Sequence, residues 1–186
     1  MFFYYFYRLS NVAIYFTATI VFLIMLSVLG FWNQDYFLGS LFVQRIILTP
    51  ATLNAYHIDF FSKSANYYWS NSKLTLGLLE PAYSLGSANI IGLEYFGNDN
   101  MSANTGWIGS GFAQAGYVGV FFYSIIISAL ISFLEQYTKT LGRPTVVALF
   151  IIPMVTIITS SDLTDMLLTH GLVFSILLLI YFPSKA

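Results

Sequence analysis

Residues 12–32 read VAIYFTATIVFLIMLSVLGFW, without one charged side chain. A helix needs roughly 20 apolar residues to cross the hydrocarbon core of a bilayer, and this run supplies them. A secretory leader is the competing reading. The run is longer than a usual leader core, and no small-x-small cleavage site follows it. A retained membrane span is the expectation.

Working outward, three more apolar runs lie toward the C-terminus. Residues 116–134 are uncharged, and 145–160 contain Pro153, which membrane helices tolerate better than soluble ones. Residues 167–182 are apolar apart from Thr169, His170 and Ser175. Between the first run and these lies a wetter stretch, 33–115, with Asp35, Arg45, Lys63, Lys73, Glu80, Glu94 and Asp99 among many Asn, Ser and Gly.

Composition points the same way. Charged residues make up 8% of the chain, against roughly 25% in soluble domains, so most of the surface must face something other than water. Tyr and Phe number 14 and 18, and Tyr rings suit the membrane–water boundary. The net charge of -1 offers no basic field for nucleic acid. The absence of Cys removes disulfides and thiolate metal sites.

Charge placement sets the expected orientation. With the N-terminus inside, Arg8, Lys139, Arg143 and Lys185 fall in short inner segments. Arg45, Lys63 and Lys73 fall in one long outer segment, where positive charge counts little. The expected fold is all-α: a polytopic membrane helix bundle forming a single membrane domain, 1–186. Its spans are near 12–32, 116–134, 145–160 and 167–182, with one large extracytoplasmic segment, 33–115. Both ends are then cytoplasmic. Re-entrant or additional crossings within 37–61 are the alternative.

Four places carry candidate chemistry. Arg45 lies between Leu41-Phe42-Val43 and Ile46-Ile47-Leu48, an apolar setting in which an arginine is costly unless paired. At α-helical pitch Thr49, Thr52, Tyr56 and Asp59 share its face within about 40°. Pro50 should kink such a helix. Either Arg45 clamps an anion with its planar fork, or it snorkels to lipid headgroups. His57 and Asp59 are each a candidate general base or a solvated flank. The Gly-rich run from Ser102 to Gly119 leads into a span. It carries no Walker loop, and Ala113, Gly116 and Val120 form a small-residue ridge suited to helix packing in lipid. Asp162, Asp165 and Thr169 share a helical face. His170 is either a hydrogen-bonded structural group inside the last span or a cavity residue. Two acids and one His make a poor metal set, so no metal and no cofactor are expected.

These segments, in this order, resemble the C-terminal part of bacterial Wzy-type oligosaccharide repeat-unit polymerases of O-antigen and capsule pathways. Three stretches carry the resemblance. They are Arg45-Ile-Ile-Leu-Thr-Pro50 followed by Tyr56-His-Ile-Asp-Phe-Phe61; Ala103-Asn-Thr-Gly106 running into Gly109-Ser-Gly111-Phe-Ala-Gln-Ala-Gly116-Tyr-Val-Gly119; and Leu168-Thr-His-Gly171. Family members look longer, with more spans ahead of the matched region, so the chain is expected to be the C-terminal portion of a larger fold. Ser110 stands where many relatives have an acid, and Gln114 where Asn is usual.

The resemblance implies a metal-independent membrane glycosyltransferase of the C-type (GT-C-like) architecture in the bacterial cytoplasmic membrane. The donor is a glycan on undecaprenyl diphosphate, and the acceptor is a hydroxyl of another lipid-linked repeat unit. The lipid bilayer is the surrounding partner, and a chain-length regulator or flippase is a candidate protein partner. Arg45 is the expected cation for the leaving diphosphate, and His57, Asp59 and His170 are the candidate bases. Asn104, Thr105 and Gly106, with Trp107 and Tyr56, are the candidate sugar contacts. The Tyr67-Tyr68-Trp69 cluster is expected to anchor at the interface. The competing class is a non-catalytic polytopic membrane protein or a transporter segment. A transporter is expected to place ionisable groups at mid-span, and these runs are free of charge.

Overall fold

The computed structural model describes residues 12–34, 36–72, 75 and 78–181. It is all-helical, with no strand among the described residues. The chain forms two compact units, 1–51 and 52–186.

In the first unit α1 covers Val12–Trp32, matching the apolar run residue for residue. A single turn, α2, follows at Tyr36–Leu38, and then a π-helical segment at Gly39–Leu48 that packs against α1. The π segment changes the reading of Arg45. Its hydrogen bonds run i→i+5, so residues there do not follow the 3.6-residue pitch that would align Arg45 with Thr52, Tyr56 and Asp59. The switch to α geometry falls at Thr49, one residue before Pro50, which has no N–H to give and sits where its absence costs least.

α3, Thr49–Lys63, carries the chain into the second unit. There α4 (Ser87–Phe96), α5 (Trp107–Leu141), α6 (Arg143–Thr159), α7 (Leu163–Leu168) and α8 (Leu172–Tyr181) follow in order. One core joins Leu53, Phe61 and Tyr67 to Ile90, Ile91, Phe112 and Ala113. A second joins Tyr123, Leu134, Val146, Phe150 and Ile157 to Met166, Leu172 and Leu179. The Ser175 hydroxyl donates to the Leu149 carbonyl at 3.1 Å, tying α8 to α6.

α5 is the one helix among the described residues long and apolar enough to cross a membrane. It is broken inside. Ala115 (φ -153°, ψ 35°) and Gly116 (φ 58°, ψ -142°) leave helical geometry, so Trp107–Gln114 and Tyr117–Leu141 are separate rods. Tyr117–Leu141 alone spans roughly 37 Å at 1.5 Å per residue, enough for a ~30 Å hydrocarbon core. The two rods double back so closely that a Cβ on Gly119 would overlap the Gly111 carbonyl oxygen. The small residues therefore pack, but the pair in contact is Gly111 and Gly119. Gly116 has no neighbour near its would-be Cβ and is the bend. Outward faces of α5, α6 and α8 show Phe121, Ile125, Ile152, Val155, Phe174 and Ile180 largely exposed, an apolar surface far beyond what water-facing helices carry.

The stretch 167–182, expected as one span, is not one helix over its described part. α7 ends at Leu168, Gly171 takes φ +78°, and α8 starts afresh at Leu172. His170 consequently lies in an exposed turn. The Tyr67-Tyr68-Trp69 cluster also departs from expectation: Tyr67 is core and donates to the Leu85 carbonyl, and only Tyr68 is largely exposed.

Candidate functional site

The broken helix creates the site. At the break, the last carbonyls of Trp107–Gln114 lose their intrahelical partners. The loop after α3 replaces them. Asn66 Nδ2 donates to the Phe112 carbonyl at 2.8 Å, Tyr67 N–H to that of Ala113 at 3.0 Å, and Tyr68 N–H to that of Gln114 at 2.8 Å. Tyr68 and Trp69 reach this position with positive φ of 49° and 60°. At the other end of the same rod, Asn54 Oδ1 accepts from Gly109 N–H at 2.7 Å. A short helix is thus fixed at both ends by side chains and loops from outside it.

Beside that rod is a cavity of about 400 Å3, formed within the second unit. His57 of α3 lines it, with Ser87 and Asn89 of α4. Asn104 and Thr105 contribute from the segment just before α5, and Ser110 and Gln114 from its first rod. Asp162, Asp165, Thr169 and His170 contribute from α7 and its flanks. No Lys or Arg is among the described residues that line it. No group of His, Cys, Asp or Glu among the described residues can hold a metal ion.

The lining falls into held and open groups. Asp162 is held: its carboxylate accepts from Thr164 N–H at 2.8 Å, Thr164 Oγ1 at 2.9 Å, Tyr123 OH at 3.1 Å and Gln114 Nε2 at 3.4 Å. Gln114 Oε1 in turn accepts from Trp69 N–H at 2.8 Å, and Trp69 Nε1 donates to Tyr123 OH at 3.0 Å. The ring of Trp69, Gln114, Tyr123 and Asp162 locks the break in α5 to the start of α7. Asp162 caps a helix here, a structural post.

His57 is open on one side. It is 1% exposed, and its Nδ1 is 2.8 Å from the Leu53 carbonyl oxygen. A carbonyl only accepts, so Nδ1 carries the proton and Nε2 presents a lone pair. Burial pushes the imidazole down to about 4, against a weaker upward pull from the Leu53 carbonyl, so the ring is neutral at physiological pH. Thr105 is 3% exposed, and its Oγ1 is a buried polar atom with no hydrogen-bond partner. Asn104 is exposed and accepts from Ser102 Oγ at 3.1 Å.

Comparison with protein-family models, with curated proteins and with solved structures finds no match for this chain.

Of the residues singled out from sequence, His57, Asn104, Thr105 and His170 meet at the cavity. Asp59 does not line it. Its carboxylate is bonded by Lys63 and Tyr95 on the exposed side of α3, and the Lys63 bond above all holds it below the usual carboxylate range. Tyr56 stacks on Tyr95 at 4.2 Å between ring centroids, and Trp107 packs on the second core; neither lines the cavity. Gly106 is buried with its Cα against the Ile158 carbonyl, a close approach that only glycine permits. Arg45 is exposed on the π segment of the first unit. Sequence reasoning missed Asn54, Tyr123 and Gln114 as site-building residues. Asp162 had a legible signal, since Asp162-Leu-Thr-Asp165 ahead of an apolar run is a helix-start pattern. Asn54 and Tyr123 had none, because their partners are 55 and 39 residues away.

Proposed function

We propose that this chain serves a membrane glycosyltransferase that polymerises undecaprenyl-diphosphate-linked oligosaccharide repeat units. It works as a multi-pass protein at the outer face of the bacterial cytoplasmic membrane. The observation that carries the reading is the cavity lining: amides, hydroxyls, imidazoles and carboxylates converge in a chain otherwise poor in polar groups. Such a set suits a polyhydroxylated ligand, whose hydroxyls need donors and acceptors in equal measure. Its place supports the reading too. Tyr123, bonded to the cavity's Asp162, is roughly 24 Å along the rod from Lys139 at 1.5 Å per residue. With Lys139 and Arg143 inside, the cavity opens outside.

In this reading an acceptor hydroxyl attacks the anomeric carbon of the donor sugar. The bond from that carbon to the diphosphate oxygen breaks, the lipid diphosphate leaves with the electron pair, and the hydroxyl proton passes to a base. His57 is a poor base, since a conjugate acid near 4 holds a proton weakly at neutral pH. His170, solvated on the cavity wall, takes that role. Arg45 is the cation proposed for the leaving diphosphate, on chemical grounds alone.

The test is polymer length in a strain lacking the gene, complemented with wild type, His170→Gln or Arg45→Ala at matched protein level. Wild type is expected to restore a polymer ladder and both variants to lose it. An unaltered ladder in the deletion strain overturns the reading.

A further inference from the structure

Away from the polar cavity, the turn between α5 and α6 shapes a second concavity. α5 ends at Leu141 and α6 starts at Arg143, so Gly142 alone joins two helices that pack together. Along this hairpin runs a groove of about 460 Å3. Ile131, Leu134, Glu135 and Thr138 line it from α5, at i, i+3, i+4 and i+7, a single helix face. Arg143, Phe150 and Met154 line it from α6, at i, i+7 and i+11, again one face.

The groove is graded along its length. Its charged lining residues, Arg143 and Glu135, fall within seven residues of Gly142, and both are exposed. Thr138 lies between them, and its hydroxyl is taken up in donating to the Glu135 carbonyl at 2.7 Å. Deeper in, residues 107–134 and 144–159 carry no charge. Leu134 and Phe150 are buried lining residues there. Ile131 and Met154 mark the far end, roughly 15 Å from the turn at 1.5 Å per residue.

A long apolar slot with both signs of charge at one end has the form of a phospholipid. A guanidinium takes a phosphate in forked geometry, and a carboxylate takes an ammonium. We infer that this groove holds one phosphatidylethanolamine molecule of the cytoplasmic leaflet, with its phosphate on Arg143, its ammonium on Glu135 and an acyl chain along Leu134, Phe150 and Met154. Glu135 sets the choice of headgroup. It repels a headgroup of net negative charge, as in phosphatidylglycerol. The trimethylated ammonium of phosphatidylcholine has no N–H to give it. The bound lipid braces the hairpin at the end away from the cavity. The inference rests on the membrane setting and orientation proposed above, since Lys139 and Arg143 inside put the charged end of the groove among the inner headgroups. It does not depend on the reaction at the outer face.

The experiment titrates the full chain, purified in detergent, with phosphatidylethanolamine, phosphatidylglycerol and phosphatidylcholine of matched acyl chains. Adducts are counted by native mass spectrometry, and melting temperatures are followed alongside. Phosphatidylethanolamine is expected to stay as a single adduct, about tenfold tighter than the other two, and to raise the melting temperature. Arg143→Gln is expected to weaken that adduct about tenfold, since a charge-assisted contact is lost. Glu135→Gln is expected to abolish the preference over phosphatidylglycerol. Ile151, an exposed lining residue of the same groove, gives a variant that keeps every charge. Ile151→Trp fills the slot and is expected to weaken all three adducts and to remove the lipid-dependent rise in melting temperature. Equal retention of the three lipids, unmoved by any variant, means boundary lipid only and overturns the inference. Preference for phosphatidylglycerol overturns it too. A mass of two chains without lipid gives the groove to a second copy, which also overturns it. A chain that restores polymer yet retains no phosphatidylethanolamine overturns the inference and leaves the proposed function standing. A chain that retains it in the groove but restores no polymer overturns the function and leaves the inference.

Discussion

His57 shows how one side chain couples burial to pH. Its value falls from 6.5 to about 4 through burial, so the unfolded chain binds a proton more readily than the folded one between those limits. Folding stability therefore rises as pH increases from 4 to 6.5 and is fully present above 6.5. The largest loss, below pH 4, is about 3 kcal/mol at ~1.36 kcal/mol per pH unit. Asp162, Asp165 and His170 line the same cavity. The comparison must therefore be between wild type and His57→Gln. Melting temperature in detergent, followed from pH 7 to 4, is expected to fall less steeply for His57→Gln. Identical slopes would defeat this assignment. Sequence alone offered His57 and Asp59 as equals. What separates them is a helix face: one is turned into the cavity wall, the other out to Lys63, and only the packed structure says which.

At the scale of elements, α1 and α6 were readable as helices because each is built on a long, uncharged apolar run. The first run coincides with Val12–Trp32, and the run 145–160 differs by two residues at its start and one at its end from Arg143–Thr159. The breaks were not read, although their glycines were in view. Gly116 and Gly171 each sit inside apolar stretches, where hydrophobicity carries no mark of a positive φ. A glycine after Thr-His at the end of an apolar turn is a stop signal, and the run beyond it masked the stop. The two kinds of glycine in α5 make separable predictions. Gly116→Ala meets no atom and pays only backbone strain, about 1–3 kcal/mol. Gly119→Ala drives a methyl into the Gly111 carbonyl, so the rods must part, at a cost of about 1–3 kcal/mol or more. Both are read as melting temperatures. Only Gly119→Ala is expected also to lower glycan binding, since Ser110 and Gln114 of the displaced rod line the cavity. Equal binding losses in the two would contradict the packing argument.

For the whole molecule, the decisive quantity is sidedness. The native chain has no Cys, so single cysteines report cleanly. Asn100 is exposed near the end of the wet segment, and Thr140 is exposed at the far end of α5. Asn100→Cys is expected to react with a membrane-impermeant maleimide in intact cells. Thr140→Cys is expected to react only after permeabilisation. Reversed labelling would put the cavity on the cytoplasmic side and remove the basis for polymer assembly outside.

In the proposed membrane setting, the break at Ala115–Gly116 also bears on how the protein would meet bilayers of different thickness. A rod of roughly 37 Å in a hydrocarbon layer of ~30 Å relieves the excess by leaning over, and it leans further as the layer thins. In an unbroken α5 that lean would swing Trp107–Gln114 through the same angle and drag one wall of the cavity with it. Here two residues off the helical path stand between, and the short rod is fastened instead to α3 and the loop 66–69. The bend leaves the long rod to pivot about its own start, where Gly119 packs on Gly111 and Tyr123 bonds Trp69 and Asp162. Glycan affinity in short-chain and long-chain phosphatidylcholine nanodiscs is therefore expected to agree within about twofold, less than the ~0.6 kcal/mol of thermal energy. A strong dependence on acyl length would mean that the bend transmits tilt.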